Sequence, residues 1–224
     1  MDARDIVKHI PLFDGLPEKQ LEILAASARE KSYAPGQTIF VDTQEAQAFY
    51  LVVWGRVKIF KSTLDGKEQT IFLFGPGEPF CLTSLTDEFS PASAMALDDT
   101  RIIMFPSDVL EDVARQEPSL LFNMILVLSR RLKQSLNLIE SLSLKEIPQR
   151  LATFLVHSGE QNRDPDVFEL GFSQRELAKI LGASPETLSR VFKKLSGDGV
   201  LSVNGRTIRI HDRQALEELA RAES

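Results

Sequence analysis

Glu186, Ser189, Arg190 and Lys193 recur at a spacing that stacks them along one face of an α-helix. An arginine there can donate two hydrogen bonds to guanine O6 and N7, and a glutamate can accept one from cytosine N4. Each good pair contributes roughly 1–3 kcal/mol of discrimination between bases. Glu186, Ser189 and Arg190 are therefore the candidate base-reading set. Ser184 and Thr187 stand near the start of that helix and Ser173 at the start of the one before it, where hydroxyls and unpaired amides can bond phosphate. Lys193 and Lys194 can reach the phosphate backbone electrostatically, a contact that positions without specifying sequence.

This chemistry needs two helices and a tight turn, and residues 173–195 carry the signals for both. Ser173 followed three residues later by Glu176 is a capping box. Leu177, Ile180 and Leu181 make an apolar stripe, Ala178 allows a close helix crossing, and Gly182 can take the left-handed conformation that ends a helix. The turn is predicted at 182–184. Ser184 is a good N-cap, Pro185 suits the first helical position, and Leu188, Val191 and Leu195 return at helical spacing toward a core. Two apolar runs, 200–203 and 206–210, flank Asn204-Gly205, a type I′ hairpin signal. They predict a wing, whose Arg206 is either a phosphate contact or a solvated arginine. Asp212 then caps a short closing helix through Leu216 and Leu219. The segment reads as a winged helix-turn-helix that contacts DNA; a plain solvated helix pair would not need caps, turn glycine and polar face to agree at one spacing.

Overall charge points the other way. The net charge is −6, the reverse of the basic footprint expected of a nucleic-acid binder. Residues 147–224, however, hold 11 Lys+Arg against 11 Asp+Glu, leaving 15 against 21 for residues 1–146. The acidic excess thus belongs to another domain. With 224 residues, 43% hydrophobic and 26% charged, two modest globular domains are expected. No apolar run approaches the roughly 18 residues of a membrane span, and Met1–Lys8 lacks a signal peptide's apolar core. A cytoplasmic location without membrane contact is the expectation. A single cysteine excludes an intrachain disulfide and an all-cysteine cluster site within one chain.

The amino-terminal part opens on a short amphipathic helix, 17–28, and then changes to alternating patterning. Strands are predicted at 38–41, 48–53, 56–61, 69–74, 92–97 and 101–105, punctuated by glycine turns. Many short strands imply a small barrel or sandwich, which can enclose a ligand cavity. Between the halves, Leu121, Ile125, Leu128, Leu132, Ser135, Ile139 and Leu142 alternate steps of four and three, a heptad seam. Leu120, Met124, Leu136 and Leu138 widen its apolar face, so one side is predicted on the barrel and the other on a second chain. A parallel dimer would offer two reading helices to half-sites about one DNA turn apart. Ser135, polar within the seam, is either a register device or a tolerated serine.

The sequence resembles the Crp/Fnr family of bacterial transcription regulators over nearly its whole length. The resemblance rests on Pro11-Leu12-Phe13-Asp14-Gly15-Leu16, Val53-Trp54-Gly55-Arg56-Val57-Lys58, Gly77-Glu78-Pro79-Phe80, Pro91-Ala92-Ser93-Ala94, Arg150-Leu151-Ala152 and Glu176 through Arg190. It implies an α+β fold: a double-stranded β-helix (jelly-roll, cyclic-nucleotide-binding-like) sensor over 1–116, a dimerisation helix over 117–146 and a winged helix-turn-helix over 147–224. It implies as partners a double-stranded operator, a second copy, RNA polymerase and a small effector. Glu186, Ser189 and Arg190 resemble the Fnr-like pattern that reads TTGA-type half-sites. Pro185 stands where cyclic-AMP-type members carry a further base-reading arginine.

In the sensor the departures are informative. Cyclic-nucleotide members have Gly-Glu for the ribose and Arg-Ser for the phosphate, where this chain has Cys81-Leu82 and Pro91-Ala92. A buried phosphate there would lack its charge-assisted partner, so binding of cyclic AMP or cyclic GMP is not expected. An Fnr-type iron–sulfur cluster is excluded by the cysteine count. The run Phe80-Cys81-Leu82-Thr83-Ser84 is similar to the heme-ligating segment of carbon-monoxide-sensing members, with Thr83 in place of histidine. Cys81 is then either a small buried apolar residue or an axial thiolate of a heme or nitric-oxide sensor. The expected effector pocket comprises Phe80, Cys81, Leu82, Thr83, Pro91, Ala92 and Met124, and a small organic effector is the competing occupant.

Two other classes follow from a barrel with a helix pair: a module that binds an effector but not DNA, and an enzyme. No Ser/His/Asp set, metal-spaced His/Cys cluster or phosphate-binding glycine loop supports the enzyme. Selection of DNA ligands separates the module from a regulator.

Overall fold

The computed structural model describes residues 3–42, 44–45, 48–81 and 89–222. The chain forms two compact units, 1–61 with 71–134 and 62–70 with 135–224.

The first unit begins with helix α1 (Ala3–Lys8), a 3-10 turn (Pro11–Phe13) and α2 (Glu18–Ser27). Strands β1 (Arg29–Tyr33), β2 (Thr38–Phe40), β3 (Ala48–Trp54), β4 (Val57–Ser62), β5 (Glu68–Phe74), β6 (Pro79–Phe80), β7 (Ser93–Ala96) and β8 (Thr100–Pro106) follow. They make two four-stranded sheets, ordered β1-β8-β3-β6 and β2-β7-β4-β5. Each strand predicted in this part has a counterpart. β1 and β6 were not foreseen, because β1 is an edge strand whose sequence Arg-Glu-Lys-Ser is exposed on both faces, and β6 has two residues.

Burial in β8 shows how the layers stack. Ile102 and Ile103 are both fully buried, although successive strand residues point to opposite faces. Ile102 packs with Phe40, Phe74 and Phe80 between the two sheets, whereas Ile103 packs with Phe13, Leu24 and Leu110 under the helices. The sheet is thus covered on both sides, which is why 102–105 reads as a continuous apolar run. Helix α3 (Ser107–Gln116) completes this layer, and the long α4 (Pro118–Leu144) contributes Leu120 and Met124 to it.

The second unit holds α5 (Ile147–Glu160), β9 (Val167–Glu169), α6 (Gln174–Leu181), α7 (Pro185–Gly197), β10 (Leu201–Asn204), β11 (Thr207–Ile210) and α8 (Arg213–Arg221). Glu146 caps α5 in a reciprocal box with Gln149, and Asp212 caps α8 by accepting from the Ala215 amide at 2.9 Å. β9 adds a third antiparallel strand to the β10–β11 hairpin, and its three residues were too few to register as a strand in the sequence. No helix among the described residues is long and apolar enough to cross a membrane.

Candidate nucleic-acid interface and effector cavity

Helix α6 starts where Ser173 Oγ accepts from the Glu176 amide at 3.3 Å and ends at Gly182, whose φ of 65° is left-handed. A Cβ there would meet Gln69 Oε1 and Leu142 Cδ2 at 2.9 Å each, both ends of side chains that can shift, so the position disfavours a side chain on conformation first. Helix α7 starts at Ser184, whose Oγ accepts from the Thr187 amide at 3.1 Å, with Pro185 at the first position. The pair is held by Leu177, Ala178 and Leu181 from α6 and Leu188, Phe192 and Leu195 from α7. Phe192, rather than the expected Val191, is the buried residue in the middle of α7; Val191 is half-buried. An aromatic ring four residues after Leu188 falls on the same inward stripe.

Packing on that stripe leaves Glu186, Ser189, Arg190 and Lys193 exposed on the other side of α7. Arg190 Nη2 donates to Thr187 Oγ1 at 3.3 Å, which restrains the guanidinium along the helix. The Glu186 carboxyl is held below the usual carboxylate range by its own amide and by the Ser184 hydroxyl, with Arg175 and Arg190 adding positive charge. Ser184 Oγ also lies 3.1 Å from Thr187 Oγ1, so both hydroxyls are engaged in forming the helix start. Ser173, Ser184, Lys193, Lys194 and Arg206 are exposed and Thr187 half-buried.

The hairpin differs from expectation in its turn. Asn204 pairs with Thr207, so the two-residue loop is Gly205-Arg206, and only Gly205 has positive φ, at 60°. That is the pattern of a II′ loop rather than the expected I′, because I′ needs positive φ at both central residues and an arginine resists it. Gln174 Nε2 lies 3.5 Å from Gly205 O, linking the start of α6 to the hairpin tip.

Two anchors were not legible in the sequence. Arg150 donates to Lys145 O and Leu142 O, each at 2.8 Å, and to Leu181 O at 3.0 Å, so one guanidinium serves the ends of α4 and α6. Lys179 Nζ lies 2.8 Å from Glu176 and 3.1 Å from Glu68. Burial alone would lower the Lys179 pKa, and the two carboxylates outweigh it, so the net shift is upward. The carbonyl ends of helices are a general signal that a donor is required; which side chain supplies it depends on the tertiary approach.

In the first unit, a cavity of about 260 Å³ opens between the sheets and α4. Phe80, Cys81, Pro91 and Ala92 line it as expected, joined by Phe40, Phe72, Phe74, Ile71, Leu128 and Arg131. Met124 does not: it packs into the helix-covered core with Leu120, because its turn of α4 faces the sheet rather than the cavity. Leu82 and Thr83 lie outside the described residues. Cys81 is half-buried at φ 62°, with its sulfur 3.9 Å from Ser90 Oγ. Tyr50, stacked on Phe80 at 5.1 Å, has its pKa pushed up to about 12 by burial first and by Cys81 and Tyr33 second. Arg131 lies 3.1 Å from Glu78 and 4.2 Å from the Phe74 ring centre.

Residues 149–219 match the Crp-like helix-turn-helix domain and residues 30–117 the cyclic nucleotide-binding domain. The chain is 35% identical over 216 residues to the cyclic AMP receptor protein of Thermus thermophilus, covering 96% of this chain and 98% of that protein. It is 30% identical to the transcriptional activator protein Anr of Pseudomonas aeruginosa, over 86% of this chain and 80% of that one. The chain belongs to the Crp/Fnr family of DNA-binding transcription regulators. Among solved structures, FixK2 from Bradyrhizobium japonicum superposes with a TM-score of 0.79 at 27% identity, covering 88% of this chain and 99% of that one. A CooA mutant from Carboxydothermus hydrogenoformans gives 0.76 at 29% identity, covering 87% and 88%.

In this Crp/Fnr regulator the described cavity lining suits neither a cyclic phosphate nor a heme. For the phosphate, Pro91 and Ala92 bring no charge or hydroxyl, and the one lining guanidinium is ion-paired to Glu78. For a heme, Cys81 stands without histidine in the lining, and the space falls below the roughly 300–1,000 Å³ of a drug-sized site. No group of three metal-binding side chains occurs among the described residues.

Helix α4 carries the residues expected to form a seam. Leu121, Ile125, Leu128, Leu132 and Ile139 are exposed, as are Phe122, Leu126 and Leu136, whereas Leu142 and Ser135 are half-buried. Leu120 and Met124 face the core instead. One helix therefore carries an inward apolar stripe and an outward one, and the outward stripe stays exposed among the described residues.

Proposed function

We propose that this regulator acts as a homodimer that reads a near-palindromic, TTGA-type operator with Glu186, Ser189 and Arg190 of each α7, under control of a small effector in the cavity. The exposed row on a capped and braced α7 carries the reading: polar groups suited to base edges stand on the one face of the helix that packing leaves bare. Ser173, Ser184, Thr187, Lys193, Lys194 and Arg206 supply backbone contacts around that face. The outward stripe of α4 is the dimer seam, because the large apolar side chains exposed along this one helix favour burial against a second copy, at up to roughly 1.5–3 kcal/mol per side chain. Two symmetric helices then meet half-sites about 34–36 Å apart.

Leu128 belongs both to the cavity lining and to the seam, so an occupant of the cavity touches the dimer contact directly. An effector that sets α4 packing in this way must prefer the active arrangement by about 10⁴-fold to switch it nearly completely. RNA polymerase is the downstream partner, tested by run-off transcription from a promoter carrying the selected site. Selection from a randomised duplex pool, followed by anisotropy titration at fixed salt, tests the DNA reading. A symmetric TTGA-type site is expected, and Arg190→Ala should relax the guanine preference. Recovery of no preferred sequence, or an Arg190→Ala protein with unchanged preference, would overturn it. A heme titration of the purified protein tests Cys81 as an axial ligand: no Soret shift is expected.

A further inference from the structure

We infer that the cavity of the first unit takes an uncharged, mainly apolar molecule, and excludes anions. This rests on the reading of the cavity as the effector site, and it names the chemistry of the occupant. The space is small, about 260 Å³, and three phenylalanine rings, Phe40, Phe72 and Phe74, stand with Phe80 around it. Phe40 and Phe80 are inclined by only 20° with centres 6.3 Å apart, and Phe80 is inclined by 19° to Tyr50. These rings are packed on one another, so they give the cavity a rigid apolar wall.

Charge decides the rest. Arg131 is the only charged residue among the described lining, and its side chain is 14% exposed. Its guanidinium lies 3.1 Å from Glu78, donates to Gln134 Oε1 at 2.7 Å, and lies over Phe74 at 4.2 Å and Phe72 at 5.8 Å. Glu78 is itself held, since its other oxygen accepts from the Gly75 amide at 2.7 Å. The arginine's charge is therefore balanced before any ligand arrives. An anion entering beside it would be desolvated without a net opposite charge, or would have to displace a carboxylate that the backbone fixes. A neutral ring meets no such penalty and gains the guanidinium face.

The probes are 1-naphthol and 1-naphthoate, which share a flat apolar body and differ in charge at neutral pH, with cyclic AMP as a third ligand. Isothermal titration of the full chain should show 1-naphthol binding at least about tenfold tighter than either anion. Ile71→Trp and Ala92→Leu, which fill the space, should each weaken 1-naphthol by at least about tenfold, with Tm and far-ultraviolet dichroism reporting whether the fold is kept. Tighter binding of 1-naphthoate or cyclic AMP, absence of 1-naphthol binding, or well-folded filling variants that still bind it would overturn the inference. Should 1-naphthol bind as expected while the duplex pool yields no preferred site, the regulator reading fails and the cavity assignment stands; operator binding without 1-naphthol binding gives the converse.

Discussion

Replacing Arg150 by leucine removes three hydrogen bonds with one change, while the aliphatic stem's packing is largely kept. Leu142 O lies in the last turn of α4 and Leu181 O ends α6, so two of the three acceptors are carbonyls that no intrahelical amide can satisfy. A hydrogen bond from a charged donor contributes roughly 1.5–3 kcal/mol, giving a simple sum of about 4.5–9 kcal/mol for three. That sum is an upper bound, because the bonds share one cation and Arg150 is half-buried, so water can replace part of them. We expect a loss of about 2–4 kcal/mol in the second unit. Native-state amide hydrogen exchange over α5–α7 measures this unit apart from the barrel. At 1.4 kcal/mol per decade, its most protected amides should exchange roughly 30- to 700-fold faster. Arg150→Lys, with one ammonium in place of a fork, should recover no more than about one bond's share. Operator affinity should fall with stability, because the α6–α7 turn loses its anchor. A loss below about 0.5 kcal/mol, or full rescue by lysine, would refute the argument that the fork braces the reading helix.

Gly182→Ala should lower the Tm of the second unit by roughly 4–16 °C, since a left-handed residue with a Cβ costs about 1–2 kcal/mol and the new atom also meets Gln69 and Leu142. Leu132→Glu puts a charge on a seam position that is 63% exposed in the single chain; sedimentation velocity should then report monomer at concentrations where the unaltered protein is dimeric. Glu186 is held below the usual carboxylate range, so its charged form is lost only as the pH falls through that lowered value. Anisotropy titrations should accordingly show the same preference at the Glu186-facing base pair from about pH 8 to about pH 5, whereas Glu186→Gln should relax it by roughly 1–3 kcal/mol.

Local signals made the helix-turn-helix and its caps legible. Ser173, Gly182, Ser184 and Asp212 act as caps or stops through contacts within a few residues, and such contacts are written in sequence spacing. The same holds for the exposed apolar row of α4, where steps of four and three on one continuous helix put Leu121, Ile125 and Leu132 on a common face before any packing is known. Spacing missed three placements, two for local reasons and one, Met124, because of how α4 packs. Phe192 took the buried place expected for Val191, Met124 turned to the core instead of the cavity, and Arg206 kept the hairpin loop from type I′.

The order of the chain by itself determined the elements, their caps, the polar face of α7 and the absence of the residues a cyclic phosphate would need, because each depends on residue type at short range. Only the tertiary structure decided that Arg150 would join two helix ends, and that Arg131 would lie over Phe74 with its charge balanced by Glu78. Those contacts join residues that the sequence alone did not pair. Their strength comes from desolvation and from carbonyls left open by other elements, which exist only once the layers have closed.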